Sequence, residues 1–141
     1  MSLDDLEPGR TFDLGSRTLT AEEIVCFASE WDPMPFHVDE RAAARSAFGG
    51  LVASGLHTVA VLVRMGSEHV VSRSDVVAGR GMRDVQMRKP VRPGMRLHGR
   101  CVIAARRVKE ATVEMHMTLH DDLGDLVLSM RGEMKMRTAT P

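Results

Sequence analysis

The chain has 141 residues, of which 43% are hydrophobic and 27% charged, and these values fit one globular domain spanning residues 1–141. Nineteen basic residues balance nineteen acidic ones, which argues against a dedicated nucleic-acid-binding protein. The two cysteines are too few for a disulfide scaffold or a zinc site, and no segment resembles a signal peptide or a membrane span, so we expect a cytoplasmic protein without membrane contact.

The first predicted elements are a strand and a helix. Phe12 to Thr18 is expected to form a short strand. The segment Thr20-Ala-Glu-Glu23 has the layout of a capping box, which predicts a helix that continues to about Glu30. The residues that this helix is expected to bury are Ile24, Phe27 and Ala28.

An irregular segment and a short helix are predicted next. Asp32 to His37 is expected to be irregular, because Pro33 and Pro35 lack N–H donors and push the residues before them into extended conformations. Asp39 is then predicted to be the N-cap of a short helix that continues through Ser46.

A longer helix is predicted after Gly49-Gly50, with Ser54 as its N-cap. Apolar residues spaced i, i+3, i+4 and i+7 predict its buried face, and they are Leu56, Val59, Ala60 and Val63. This is the one strongly buried helix that the sequence predicts.

The remainder of the chain alternates apolar and polar residues, which indicates half-buried antiparallel strands. Strands are predicted over residues 95–106, 112–119 and 126–136, with turns at residues 90–94, 107–110 and 121–124. A sheet of this kind has one apolar face, and the helix that contains Leu56 and Val63 supplies an apolar surface to cover it.

Few motifs in the chain indicate catalysis. There is no tyrosine, dinucleotide-binding glycine motif, Walker sequence, CxxC, HExxH or nucleophile elbow, so hydride transfer, phosphoryl transfer and zinc hydrolysis lack their usual residues. What remains is Asp32-Pro-Met-Pro-Phe-His37, a carboxylate and an imidazole on a backbone stiffened by two prolines. This pair can hold one water molecule; the alternative is that Asp32 is a turn residue and His37 a hydrogen-bonded interior histidine.

Gly55 is a second candidate, because it begins the longer helix. The start of a helix has unpaired N–H groups and a partial positive charge, and glycine lets a ligand oxygen approach the backbone closely. Gly55 can therefore polarise a carbonyl group; the alternative is that Ser54 and Gly55 form an ordinary helix cap.

Two weaker features complete the candidates. His98, His116 and His120 fall on predicted strands, and we expect no metal site there because exposed strand histidines are common. Residues 80–109 contain ten basic residues and one acidic residue, whereas residues 1–40 contain ten acidic and two basic. The basic segment is either a solvated strand face or a rim that binds the anionic groups of a phosphorylated ligand.

Two segments together resemble a known family. They are Phe27-Ala-Ser-Glu-Trp-Asp32-Pro-Met-Pro-Phe-His37-Val-Asp39 and Phe48-Gly-Gly-Leu-Val-Ala-Ser-Gly55-Leu-His-Thr58, and they resemble the MaoC-like dehydratases, the group that includes the (R)-specific enoyl-CoA hydratases. Asp32, Pro35, His37 and Gly55 occupy the places of that family's motif. The resemblance implies an α+β hot dog fold, with a five- or six-stranded antiparallel sheet wrapped around a long central helix.

The resemblance also implies a reaction, the reversible hydration of trans-2-enoyl-CoA to (R)-3-hydroxyacyl-CoA in fatty acid metabolism. Asp32 would be the general base and His37 the proton donor, with the reverse assignment left open, and the Gly55 N–H would bind the thioester oxygen. Further substrate contacts are expected from Met34, Phe36, Phe48, Ser54, Arg88 and Lys89, with the two basic residues near the coenzyme A phosphates. No metal or organic cofactor is expected apart from the coenzyme A of the substrate.

The resemblance implies at least a homodimer in which the two sheets join edge to edge. The chain departs from the family at Trp31 and Met34, where hydratases often carry glycine and asparagine. Two alternatives remain open at this point: an acyl-CoA thioesterase with the same fold, and a non-catalytic subunit that binds an acyl thioester.

Overall fold

The structure, a computed structural model, describes residues 1–138. Its helices and strands follow one another as β1 (Thr11–Thr18), α1 (Ala21–Trp31), α2 (Pro35–Val38), α3 (Glu40–Ala44), α4 (Gly55–His69), β2 (Val76–Met87), β3 (Arg96–Arg107), β4 (Thr112–His120) and β5 (Leu126–Met136). A single 3₁₀ turn, Val71–Arg73, follows α4. Within the described residues, no helix combines the length and the apolar character needed to cross a bilayer.

The five strands form one antiparallel sheet in the order β1-β3-β4-β5-β2, so β1 and β2 are its edges. The turn between β4 and β5 is fixed by Asp121, whose Oδ1 accepts the N–H groups of Leu123 and Asp125 at 3.0 and 2.9 Å. Gly124 in this turn has φ +82°, a conformation that favours glycine. The α+β hot dog fold and the four predicted strands, now β1, β3, β4 and β5, are confirmed.

Strand β2 is the element that the sequence analysis did not identify. All of its residues except Val76 are exposed, so its sequence lacks the alternation that marks a half-buried strand. Three register shifts interrupt its pairing with β5. Because β2 is an edge strand, its second backbone edge has no neighbouring strand within residues 1–138.

Helix α4 packs against strands β1, β3 and β4 of the sheet, but mostly not with the predicted residues. Its buried positions include Thr58, Val61, Leu62 and Met65, which again follow the i, i+3, i+4 and i+7 spacing. Of the predicted face, Val59 is half-buried against the core, whereas Leu56, Ala60 and Val63 are exposed, so the prediction was wrong for these three. A polar residue lies on the buried face because the Thr58 hydroxyl donates to the Ser54 carbonyl at 3.3 Å.

The three N-terminal helices mostly agree with the prediction. The Thr20 hydroxyl caps α1 by accepting the N–H of Glu23 at 3.1 Å, although Phe27 is only half-buried. Asp39 caps α3, which ends at Ala44 and not at Ser46. The predicted irregular segment is confirmed for Asp32 to Met34 and was wrong from Pro35 to His37, because Pro35 begins the helical turn α2, at a position where its missing N–H costs nothing.

Candidate active site

The Asp32 and His37 side chains are brought together by the turn between α1 and α2. Pro33 disfavours the helical conformation for Asp32, so α1 ends at Trp31 and Asp32 adopts φ −158°. Helix α2 then starts at Pro35 and places His37 in its single turn. As a result, His37 Nε2 lies 3.5 Å from Asp32 Oδ2.

The His37 ring is held by a backbone carbonyl. Its Nδ1 lies 2.7 Å from the Val52 oxygen, and a carbonyl can only accept, so Nδ1 carries a hydrogen and donates it. Val52 is fixed in turn, because its N–H donates to the Phe36 carbonyl at 3.2 Å. The ring nitrogen that faces Asp32 is therefore Nε2, the atom at which His37 can gain or lose a proton.

Ser54 holds the carboxylate of Asp32. The Ser54 hydroxyl donates to Asp32 Oδ2 at 2.6 Å and accepts the N–H of Leu56 at 3.2 Å. Ser54 is fully buried, at 0% exposure. One hydroxyl thus joins the start of α4 to the acidic residue of the site, which links Asp32 rigidly to the helix.

The contacts of Asp32 leave one arrangement for a water molecule. Asp32 Oδ2 takes the Ser54 hydroxyl and faces His37, whereas Oδ1 has neither of these contacts. When His37 is protonated, its Nε2 donates, whereas the carboxylate accepts. A water molecule that accepts from Nε2 and donates to Asp32 satisfies both groups, so this geometry can orient a water.

A cavity of about 320 Å³ adjoins this pair. His37 and Gly55 contribute to its wall together with Phe36, Phe48, Thr58 and Val91. Asp32 is not part of the wall, although its carboxylate lies 3.5 Å from His37 Nε2. The cavity therefore contains an imidazole edge and the first turn of α4, whose N–H groups have no acceptor within the helix.

Gly55 lies directly beneath the side chain of Met87, the last residue of β2. A Cβ atom at Gly55 would be 2.2 Å from Met87 Sδ and 2.5 Å from its Cε. Glycine is therefore the residue that fits here while the thioether keeps this position. Met87 also contributes to the cavity wall and is 57% exposed.

Arg88 and Lys89 contribute to the cavity wall, but within the described chain only one of their charges is free of a carboxylate partner. Lys89 forms ion pairs with Asp121 and Asp125. The pKa of Lys89 is raised, mainly by its hydrogen bond to Asp121. The same bond lowers the pKa of Asp121. Arg88 has no carboxylate within 4.0 Å among residues 1–138, so its charge is available to a ligand at the cavity wall.

The other predicted contact residues are divided between the cavity and the protein surface. Phe36 and Phe48 line the cavity with their rings 5.2 Å apart. Met34 is 46% exposed and is not part of the cavity wall. Ser54 is also absent from the wall, because its hydroxyl is committed to Asp32.

Two aromatic residues near the motif lie elsewhere. Trp31 is 65% exposed, and Phe27 stacks on His57 with ring centroids 4.4 Å apart. Burial lowers the pKa of His57, which lies away from the cavity that contains His37. Within residues 1–138, no three His, Cys, Asp or Glu side chains are placed to hold a metal ion.

Sequence reasoning missed two residues of the site. Val52 acts through its backbone carbonyl, which any residue carries, so no sequence signal marks it. Met87 belongs to the strand that was not predicted, and only its position at the end of β2 brings it to Gly55.

Comparisons with known proteins find a matching family and several similar proteins. A family model described as "MaoC like domain" matches residues 5–122. The chain is 36% identical over 93 residues to Uncharacterized protein YdeM of Bacillus subtilis (strain 168), a match that covers 66% of each protein. It is 39% identical over 122 residues to Nodulation protein N of Rhizobium meliloti (strain 1021), which covers 82% of this chain and 76% of that protein.

Solved structures are similar over nearly the whole chain. A MaoC-like dehydratase from Rhodospirillum rubrum superposes with a TM-score of 0.85 at 31% identity, covering 99% of both chains. An (R)-hydratase from A. caviae, described as involved in PHA biosynthesis, superposes with a TM-score of 0.81 at 20% identity, covering 94% of this chain and 98% of that chain. The second likeness shows a shared fold alone.

Proposed function

The chain belongs to the MaoC-like dehydratase family, a family of hydratases and dehydratases, and we propose that it interconverts trans-2-enoyl-CoA and (R)-3-hydroxyacyl-CoA. One observation carries the proposal: His37, with Asp32 beside it, shares a cavity with the first turn of α4 at Gly55. A base, an acid and a donor for an oxyanion are the three groups that addition of water to an enoyl thioester requires.

The Gly55 N–H would bind the thioester oxygen. This hydrogen bond draws electron density from the double bond, so the β carbon becomes electrophilic. It also stabilises the enolate charge that develops on the oxygen as water adds. The positive end of the α4 dipole acts in the same direction.

Asp32 and His37 would handle the protons. Asp32 removes a proton from the bound water while the water oxygen bonds to the β carbon, and protonated His37 gives its Nε2 proton to the α carbon. The proton on Asp32 then returns to His37 across their 3.5 Å contact. The net change is the addition of one water molecule, and no metal or organic cofactor takes part.

Arg88 would meet the phosphates of coenzyme A. Its side chain lies at the wall of the cavity, beside the place where the thioester would enter. Lys89 contributes less, since Asp121 and Asp125 already neutralise its charge.

The chain would form a homodimer through the free edge of β2. Strand β2 has a free backbone edge within residues 1–138, and apolar side chains are exposed on β2 and on the neighbouring face of α4. They include Leu56, Val63, Val77 and Met82. A second copy paired edge to edge would bury them, so this surface supports the dimer.

The acyl chain would extend along the groove between α4 and strands β2 and β5. Gly55 and Gly66 are eleven residues apart, which is close to three helical turns, so they lie on the same face of α4. Along the helix they are separated by about 16 Å. A second cavity of about 410 Å³ lies beside Gly66. Its wall is apolar and includes Met82, Met117, Met130 and Met134, side chains that adapt to the shape of a flexible tail.

One assay tests the reaction against its alternatives. Purified protein is incubated with crotonyl-CoA while the absorbance of the conjugated enoyl group and the release of free thiol are followed together. A hydratase removes the conjugation and releases no thiol. Replacing Asp32 by asparagine should lower the rate by about 10²- to 10⁴-fold, whereas the matched control Glu30→Gln, an exposed carboxylate of α1, should not change it.

Each other outcome has a defined meaning. Thiol release at the rate of substrate loss would identify a thioesterase and overturn the hydratase. No change in either signal across several chain lengths would leave a non-catalytic acyl-binding subunit. Full activity of the Asp32→Asn variant would remove Asp32 from the mechanism.

A further inference from the structure

Met87 is the residue of β2 in the wall of the first cavity, and Met82, on the same strand, is in the wall of the second. Its thioether packs on Gly55 so closely that a Cβ there would lie 2.2 Å from the sulfur. The backbone of Met87 pairs with Leu128 of β5, which fixes the origin of the side chain at the edge of the sheet. The side chain therefore spans from β2 to the first turn of α4.

The contact between Met87 and Gly55 obstructs a path along α4. Gly55 is part of the first cavity and Gly66 of the second, and both lie on one face of the helix. Met87 belongs to the wall of the first cavity and Met82, on the same strand, to the wall of the second. A chain that extends from Gly55 towards Gly66 along β2 must pass the Met87 thioether.

We propose that Met87 is a specificity-determining residue that controls the entry of long acyl chains into the groove. This inference rests on the proposed function for the identity of the ligand, an acyl thioester. Short acyl groups remain within the first cavity and leave Met87 in place. Long acyl groups reach the second cavity only after the thioether rotates away from Gly55.

The chemistry of methionine suits this role. The side chain has several rotatable bonds and no branch, so it can fill a gap in one rotamer and vacate it in another. Met87 is 57% exposed within one copy of the chain, so that copy leaves room for the displaced side chain. Removing the thioether should therefore favour long chains selectively, and a rigid ring at this position should exclude them.

The test compares chain lengths in three variants. We measure kcat/KM for crotonyl-CoA and for trans-2-dodecenoyl-CoA in the wild type, Met87→Ala and Met87→Phe. Met87→Ala should raise the ratio of dodecenoyl to crotonyl activity about tenfold, through a lower KM for the long substrate, and Met87→Phe should lower the ratio. The control Val85→Ala, on the same strand but outside both cavity walls, should leave the ratio unchanged.

Binding measurements separate this inference from the proposed reaction. Calorimetry with the saturated ligands butyryl-CoA and dodecanoyl-CoA requires no turnover. If Met87→Ala binds dodecanoyl-CoA more tightly and butyryl-CoA as before, while no variant hydrates any enoyl thioester, the hydratase proposal fails and the role of Met87 stands. If Met87→Ala changes activity and affinity equally for short and long chains, or changes neither, the role of Met87 is overturned.

Discussion

The two cavities beside α4 are built from different kinds of contacts. At the cavity near Gly55, His37 is held by a 2.7 Å hydrogen bond and Asp32 by one of 2.6 Å. At the cavity near Gly66, the wall consists largely of methionine and glycine residues from α4 and three strands. Bond making needs fixed atoms, whereas a hydrocarbon tail needs only an apolar volume.

This difference predicts two separate kinds of mutational effect. Changes near Gly55 should lower the rate for acyl chains of every length, because they displace groups that act on the thioester itself. Changes near Met87 and Gly66 should alter the preference among chains. A mutation of Asp32, His37 or Gly55 that changed only chain preference would break this division.

The largest effect is expected from His37→Asn. The asparagine amide can still donate to the Val52 carbonyl, but it has no group in the place of Nε2 beside Asp32. We expect kcat to fall by about 10²- to 10⁴-fold for both crotonyl-CoA and dodecenoyl-CoA. His98→Asn, a change of an exposed strand histidine, is the control, and an equal loss in that variant would show that the effect is not local.

Gly55→Ala should produce the next largest effect. The new methyl group would overlap the Met87 thioether, which can rotate towards solvent, so the melting temperature should change little. Activity should nevertheless fall about 10²-fold, because the methyl group keeps the thioester oxygen from the backbone N–H. The double variant Gly55→Ala/Met87→Ala removes the overlap, and recovery of full activity in it would show that glycine serves packing alone.

Ser54→Ala should give a smaller and mixed effect. Loss of the N-cap should lower the free energy of unfolding by about 1 kcal/mol, and loss of the hydrogen bond to Asp32 should lower kcat, because the carboxylate is no longer held in place. Thr20→Ala removes the cap of α1, away from the site, and should lower stability without changing kcat. Equal kcat values in all three proteins would exclude Ser54 from positioning Asp32.

Much of this arrangement is visible in the sequence because it is local. Pro33 and Pro35 restrict the chain between Asp32 and His37, so six consecutive residues carry the pair. Ser54 and Gly55 were identified because helix caps have short-range signals. The alternating residues of β4 and β5 predicted the sheet in the same way.

The remainder depends on contacts between distant segments. Helix α4 has apolar residues on more than one face, and only the position of the sheet decides that Leu62 is buried and Leu56 exposed. Strand β2 has no buried face in this chain and therefore no periodic pattern. Without β2, nothing in the sequence brings Met87 to Gly55, so the division of the groove required the structure.

The smallest effect is expected from Lys89→Met, which tests whether the charge of Lys89 belongs to the site or to the fold. Its hydrogen bond holds the pKa of Asp121 below the ordinary value of 3.8. A lowered carboxyl pKa stabilises the folded state above the ordinary value and ceases to do so as the pH falls through the lower value. The melting temperatures of the wild type and Lys89→Met should therefore differ at pH 7 and converge as the pH falls below 3.8.

KM of the Lys89→Met variant for crotonyl-CoA should stay within about twofold of the wild type, since the ion pairs of Lys89 with Asp121 and Asp125 already neutralise its charge. A large rise in KM together with an unchanged melting temperature would instead assign Lys89 to the binding of coenzyme A.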